Sequence, residues 1–119
     1  MKAKEIINSA LKLLGYTSSA GNEQLTARIM SKAIPIINIT YSDIWSIEKS
    51  EDFEPITKLD DEIKLSNKAV TVMTYGVCSY IAQSEEDAVQ QNIWSVLYNK
   101  KRASLSKITT KIDTLPKIF

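Results

Sequence analysis

The sequence of 119 residues contains no histidine, one cysteine, three glycines and three prolines. Without histidine and with only Cys78, the chain cannot form the usual zinc sites or an internal disulfide. The lack of histidine also removes the usual general base for a serine nucleophile. An all-β fold is disfavoured because it needs many turns, and glycine and proline are scarce. We therefore expect an all-α protein.

The chain also lacks a net charge and a long apolar run. Lys and Arg number 15 against 14 Asp and Glu, so a net charge of +1 creates no overall field to attract nucleic acid or anionic lipid. No apolar stretch approaches the roughly 20 residues that span a bilayer. Met1–Gly15 carries Lys4 and Glu5 and does not have the apolar centre of a secretory signal. These absences favour a reducing cytosol, in which Cys78 is a buried thiol.

Apolar spacing predicts a first helix over about Ala3–Leu14, ending at Gly15. A loop at Thr17–Asn22 follows, and a second, long helix begins near Glu23. Because its apolar stripe keeps phase across Pro35, we expect a kink there and not a break. The stripe consists of Leu25, Ile29, Ala33, Ile36 or Ile37, Ile44 and Ile47.

The second half of the chain predicts an extended connector, Glu48–Ser66, and two further helices. Ser66 or Asn67 caps the third helix, in which Gly76 indicates that another helix crosses closely. Ser84 is predicted to cap the fourth helix through the pattern Ser-Glu-Glu-Asp. The stripe of the fourth helix that we expect to continue the core consists of Val89, Ile93, Val96 and Leu97, with Lys100 as a further candidate through its aliphatic stem.

A second amphipathic pattern occupies residues 104–119, beyond the four-helix domain of residues 1–103. Its apolar residues are Leu105, Ile108, Ile112, Leu115, Ile118 and Phe119. Serine and threonine are frequent here, so a helix would be marginal by itself. The segment either packs on its own bundle or docks on a partner, and we favour docking.

No group of residues has the pattern of a catalytic or ligand-binding site. The acids Glu85, Glu86 and Asp87 diverge if they lie on a helix, and stabilisation of a helix N-terminus explains them more simply than a metal. Asp60–Glu62 lacks the alternating acids and the glycine of a calcium loop. We therefore expect no enzymatic activity, no metal and no cofactor.

Charge is unevenly distributed along the chain, with seven acids against two lysines from Glu48 to Glu62 and six bases against one acid from Tyr98 to the end. The two regions suit a head-to-tail contact between copies, although two solvated segments explain them equally well. The candidate subunit-interface residues are Asp60, Asp61, Glu62, Lys100, Lys101 and Arg102.

An ordered set of short segments gives the chain a resemblance to a known family. The segments are Ile36–Trp45, Phe53–Ile56, Leu59–Ile63, Tyr75–Val77, Ile81–Glu85, Asp87, Gln91 and Tyr98–Arg102. Together they resemble the head–tail connector proteins (head-completion adaptors) of long-tailed bacteriophages and of prophages in Gram-positive bacteria. The resemblance spans nearly the whole chain and depends on the order of the segments.

The resemblance implies an all-α bundle that forms a homo-oligomeric ring beneath the portal protein, with genomic DNA passing through without sequence-specific binding. It implies that Leu105–Phe119 dock on the portal and that a further connector or tail-completion protein binds the distal side. It implies no catalytic residue and no membrane partner. The protein would be in the host cytoplasm during assembly and then at the head–tail junction of the virion.

The main alternative is a small cytosolic helical protein that regulates or binds nucleic acid. Lys100–Arg102 would supply positive charge for the phosphates, and Trp45 and Trp94 could stack on bases. Both tryptophans lie close to apolar stripes, which favours packing in the core. Cations near a helix C-terminus are also expected from the helix dipole.

Overall fold

The computed structural model describes the backbone of residues 1–16 and 23–118 and the side chains of residues 1–16 and 24–105. Over these residues the protein is all-α, as predicted. The helices are α1 (Ala3–Leu14), α2 (Glu23–Met30), α3 (Ala33–Glu48), α4 (Asn67–Ser84) and α5 (Ala88–Ile118). In the part of the chain described, no helix is both long and apolar enough to cross a membrane.

The central helix is α4, because α1, α3 and α5 all pack against it. The predicted stripe of this helix is confirmed as part of the core, since Val70, Met73, Val77 and Ile81 are buried. Cys78 is buried as well, and its Sγ lies 3.7 Å from the carbonyl oxygen of Ala10 in α1. Burial raises the pKa of the Cys78 thiol to about 12, so the predicted unreactive thiol agrees with its surroundings.

Gly76 lies where α3, α4 and α5 meet. A Cβ atom placed on Gly76 would lie 2.7 Å from Cε1 of Tyr98 and 2.9 Å from Cγ2 of Thr40. These separations are well below the normal contact distance between carbon atoms. Only glycine therefore lets Tyr98 of α5 and Thr40 of α3 approach α4 this closely, and the predicted close helix crossing is confirmed.

The second predicted helix is divided in two, so the predicted kink at Pro35 is wrong. A turn at residues 31–32 separates α2 from α3, which makes Pro35 the third residue of α3. At this position a backbone N–H has no partner within the helix, so the proline removes no helical hydrogen bond. The apolar stripe keeps its phase because Ile29 and Ile37 are both buried, one on each side of the turn.

The start of the last helix also differs from the prediction. Helix α4 continues through Ser84, whose hydroxyl donates to the carbonyl of Ile81, so Ser84 is not the cap. The cap is Asp87, whose Oδ1 accepts a hydrogen bond from the backbone N–H of Gln90 at 3.2 Å. The chain turns at Glu86, which has a φ of +58°. Serine and aspartate are equally good caps, so the sequence pattern does not distinguish them.

The connector between α3 and α4 has no regular structure, as predicted, but hydrogen bonds attach it to the bundle. The side-chain amide of Asn38 donates to the carbonyl of Ile56 at 3.0 Å, and the backbone N–H of Ile56 donates to Asn38 Oδ1 at 2.8 Å. Lys2 and Glu62 form an isolated antiparallel bridge. The connector is therefore a defined part of the protein surface.

Of the two predicted caps of α4, Ser66 and Asn67, the cap is Ser66: its hydroxyl accepts a hydrogen bond from the backbone N–H of Ala69 at 3.2 Å. We expect Ser66→Ala to lower the free energy of unfolding by about 1 kcal/mol, because this bond satisfies an N–H at the helix start. Urea denaturation measures the difference. Ser46→Ala is the control, since Ser46 is on the surface of α3, and it should change stability by less than about 0.5 kcal/mol. Equal effects of the two changes would contradict the capping role.

Candidate assembly surfaces

A charged network attaches α5 to α3. Arg102 donates from Nε to Oδ2 of Asp43 at 2.5 Å and from Nη2 to Oδ1 at 2.7 Å. The Tyr98 hydroxyl donates to Oδ2 of the same carboxylate at 2.5 Å. Partial burial by itself would raise the pKa of Asp43, but the hydrogen bonds from Arg102 and Tyr98 outweigh it and hold the pKa below its usual value. The network determines which face of α5 is turned toward the bundle.

The inner face of α5 carries large side chains with polar ends. The Trp94 ring stacks on Tyr75 of α4 with the ring centroids 5.9 Å apart, and its Nε1 donates to Gln90 Oε1 at 2.9 Å. Tyr98 and Leu105 are buried further along the same face. Trp94 and Tyr98 bury their rings and direct their polar atoms to hydrogen-bond partners, whereas Leu105 is wholly apolar. These residues form the core-facing side of α5, which the sequence pattern assigned to aliphatic residues.

The outer face of α5 carries an exposed apolar stripe of three residues, Val89, Ile93 and Val96, which we call the outer stripe. Their side chains are 72%, 52% and 59% exposed. The prediction that they face the core is therefore wrong. Spacings of four and three residues place them in one line along the helix. No other described part of the chain covers this line.

Two exposed lysines, Lys100 and Lys101, lie just beyond the outer stripe. Lys100 follows Val96 by four residues and therefore continues the same line. Neither ammonium group has an ion-pair or hydrogen-bond partner among the residues with described side chains. Arg102, in contrast, is held by Asp43 within the chain. Of the three basic residues predicted for a subunit interface, only Lys100 and Lys101 are thus unpaired within the described side chains.

The three acids predicted for the subunit interface have partners within the chain. Asp60 Oδ1 lies 2.9 Å from Lys4 Nζ, and this hydrogen-bonded pair lowers the pKa of Asp60. Asp61 accepts a hydrogen bond from the backbone N–H of Thr57 at 2.9 Å, which lowers its pKa in the same way. Glu62 accepts from the amino group of the first residue at 3.0 Å. These acids hold the connector together and against α1, a role that composition does not distinguish from an interface.

A groove between α3 and the connector carries three acids, Glu51, Asp52 and Glu54, that have no ion-pair partner among the described side chains. It has a volume of about 640 Å³, and five carboxylates and one lysine line it. The buried rings of Tyr41 and Trp45 form its base, and the exposed residues Glu51, Asp52 and Glu54 lie at its rim. We call these five residues the acidic groove. It combines an apolar base with an acidic rim.

The predicted docking segment is continuous with the bundle. Helix α5 runs unbroken to Ile118, so no interruption marks the predicted boundary after residue 103. Leu105 is buried in the core, where it stabilises the bundle and is not exposed for docking. Outside the described residues lie the side chains of Ile108, Ile112, Leu115 and Ile118 and the whole of Phe119. Docking by these residues stays a prediction.

The acids between α4 and α5 connect helices. Glu85 receives two hydrogen bonds from the Arg28 guanidinium of α2, at 3.1 and 2.5 Å, and these lower the pKa of Glu85. Asp87 accepts a hydrogen bond from the Tyr16 hydroxyl at 2.9 Å; burial together with this bond raises the pKa of Tyr16 to about 12. Among the described side chains, those of residues 1–16 and 24–105, no group of three or more acids or cysteines is arranged to hold a metal ion.

Comparison of the chain with models of protein families, with curated proteins and with solved structures found no match. Its function is therefore inferred from the surfaces described above and from the sequence resemblance. Of these surfaces, the sequence contained a signal for the acidic groove, because Glu51, Asp52 and Glu54 belong to the acidic connector. The spacing of the outer stripe is visible in the sequence, but the prediction that the stripe faces the core is wrong.

Asp43 makes the stability of the protein depend on pH. Its pKa is lowered in the folded state, so its contribution is present above the unfolded-state pKa of about 3.9 and is lost as the pH falls through the folded-state value. We expect Asp43→Asn to lower the free energy of unfolding by about 1 kcal/mol at neutral pH, since the pair is partly exposed. In acid the difference between the two proteins should shrink.

Urea unfolding of both proteins at neutral pH and at about pH 3 measures this dependence. Asp52→Asn is the matched control, because Asp52 is exposed at the groove rim and should have little effect at either pH. A difference between wild type and Asp43→Asn that stayed constant with pH would show that the charge of Asp43 does not contribute.

Proposed function

We propose that the protein is a subunit of a homo-oligomeric head–tail connector ring of a long-tailed bacteriophage, which docks on the portal and links the capsid to the tail. The observation that carries this proposal is the outer stripe. Aliphatic side chains aligned on one exposed helix face favour association, because contact with another protein removes them from water. The sequence resemblance indicates which assembly the association would serve.

The size of the outer stripe favours a many-membered assembly over a stable dimer. A stable pair of proteins typically buries about 800 Å² on each partner, more than three partly exposed aliphatic side chains can provide. In a closed ring each subunit binds two neighbours and the portal, so weak contacts act together. A stripe of this size is therefore adequate for a ring that forms on a portal template.

The charge of the protein is also compatible with DNA passing through a ring. A strongly basic channel would bind the phosphates and release counterions, and this would hold the DNA in place. Here the net charge is +1, and Arg102 and Lys4 are neutralised by Asp43 and Asp60 within the chain. The protein therefore carries little excess positive charge to retain the genome.

Binding to the portal tests the proposed function. The purified protein is mixed with the portal protein of the same phage or prophage genome and examined by native mass spectrometry and negative-stain electron microscopy. We expect complexes that contain many copies of this chain on each portal ring. A protein that stays monomeric or dimeric with portal, and that shifts duplex DNA in a gel, would instead support the nucleic-acid-binding alternative.

Truncation separates the predicted docking segment from the bundle. A chain that ends after Leu105 keeps every core residue identified among the described side chains, so we expect it to stay helical and folded but to lose portal binding. Circular dichroism and a pull-down with portal measure the two properties. A chain that ends after Ser104 also loses the buried Leu105, and should be less stable by about 2 kcal/mol. Full portal binding by the chain ending after Leu105 would show that residues 106–119 do not dock.

A further inference from the structure

We infer that the outer stripe of α5 in one copy, together with Lys100 and Lys101 beyond it, binds the acidic groove of the next copy, so that the ring is joined head to tail. This inference rests on the proposed ring and specifies which two surfaces meet. The first surface consists of the outer stripe with Lys100 and Lys101. The second is the acidic groove, defined above by Tyr41, Trp45 and the three rim acids.

The two surfaces carry opposite charges, and each combines charged with apolar residues. The segment from residue 88 to residue 103 contains no acid, and its two available bases lie at one end of an aliphatic line. The groove presents three exposed carboxylates around two aromatic rings. The ammonium groups can therefore meet the carboxylates while the aliphatic lysine stems and Val96 contact the surface between them. Opposite charges at such a contact accelerate association and select one orientation.

The two surfaces belong to different parts of the bundle, since one is the outer face of α5 and the other lies between α3 and the connector. A contact between two different surfaces is heterologous, and its repetition generates a closed ring or an open filament. This is the type of contact that a connector ring requires. A contact between identical surfaces would instead end at a dimer.

The strongest competing contact is an antiparallel pair of α5 helices from two copies. It would join the two outer stripes and bring Lys100 of each copy near the exposed Glu86 of the other, since Glu86 lies in the turn before α5, at one end of the outer stripe, and Lys100 lies at the other end. That arrangement offers each lysine pair one acid. The acidic groove offers three acids, which favours the groove as the binding site.

Charge reversal tests the inference with two variants of the full chain. The first, the groove variant, reverses the charges at the groove rim (Glu51→Lys, Asp52→Lys, Glu54→Lys). The second, the lysine variant, reverses the charges on α5 (Lys100→Glu, Lys101→Glu). We expect each variant alone to self-associate at least about tenfold more weakly than the wild type in sedimentation velocity at low salt, with or without portal. Lys12→Glu with Lys68→Glu is the matched control, because both lysines are exposed elsewhere on the surface.

A mixture of the two reversed variants should recover association, because each protein supplies one surface that complements the other. A single chain carrying all five changes should recover it as well.

If neither reversal changes self-association, or if the mixture does not recover, the inference is wrong, and the ring proposal still depends on the portal measurement. If adding Glu86→Lys to the lysine variant restores its self-association, the antiparallel pair is correct and the inference is overturned. If the wild type associates neither with itself nor with portal, both proposals fail.

Discussion

Replacing Gly76 with leucine is expected to prevent the bundle from folding, and Gly76→Ala is expected to lower the free energy of unfolding by about 1–2 kcal/mol. The added Cβ would lie 2.7 Å from a ring carbon of Tyr98 and 2.9 Å from a methyl carbon of Thr40. Overpacking in a core typically costs about 1–3 kcal/mol, against which alanine regains about 1 kcal/mol of helix propensity. For leucine the further side-chain atoms have no space between three helices.

Thermal and urea unfolding measure the Gly76→Ala effect, which corresponds to a fall of roughly 4–8 °C in melting temperature. A double-mutant cycle identifies the cause. In a Tyr98→Ala background the added methyl group should cost less, because the ring that it meets is gone. In a Tyr98→Phe background the cost should be unchanged, because the contacted atoms are ring carbons. The same cost in all three backgrounds would mean that the clash is not with Tyr98.

Ile93→Glu is expected to leave the monomer folded and to abolish assembly. Ile93 is 52% exposed at the centre of the outer stripe, so its replacement should change the free energy of unfolding by less than about 0.5 kcal/mol. In an assembled ring the new carboxylate would be removed from water without a partner, which is strongly unfavourable. Circular dichroism measures folding, and native mass spectrometry with portal measures assembly.

Asn8→Glu is the matched control for Ile93→Glu, because it adds the same charge at an exposed position in the middle of a different helix, α1. Assembly by the Asn8→Glu protein together with its loss in the Ile93→Glu protein would locate the contact on the outer stripe. Unfolding of the Ile93→Glu protein would show instead that this stripe faces the core. If Ile93 faces solvent, Ile93→Glu leaves the free energy of unfolding almost unchanged. If Ile93 faced the core, the same change would lower it strongly.

Local patterns were sufficient for most of the helices. The Ser66 cap, the end of the first helix at Gly15 and the buried stripe of α4 depend on interactions between residues close in sequence, and all three were predicted correctly. The errors occurred where two local solutions have similar energy. Pro35 is compatible with a kink or with the first turn of a new helix, and the Ser-Glu-Glu-Asp segment contains two possible caps.

The predicted interface residues show a different limit of sequence information. Asp60 and Glu51 are both acids of the same connector, yet Asp60 is paired with Lys4 while Glu51 is exposed at the groove rim. Lys100 and Arg102 are near neighbours on one helix, yet only Arg102 reaches Asp43. Which charge is neutralised depends on a partner distant in sequence, so composition cannot separate structural charges from available ones.

The sequence by itself determined an all-α bundle and the close crossing at Gly76, because helix periodicity, caps and the missing Cβ act locally. Only the tertiary structure decided which face of α5 is buried. The line of Val89, Ile93 and Val96 is purely aliphatic, but Tyr98 fits against Gly76 and hydrogen-bonds to Asp43 from the other face. Shape complementarity and a satisfied polar network turn that other face inward, and the aliphatic line is left on the surface.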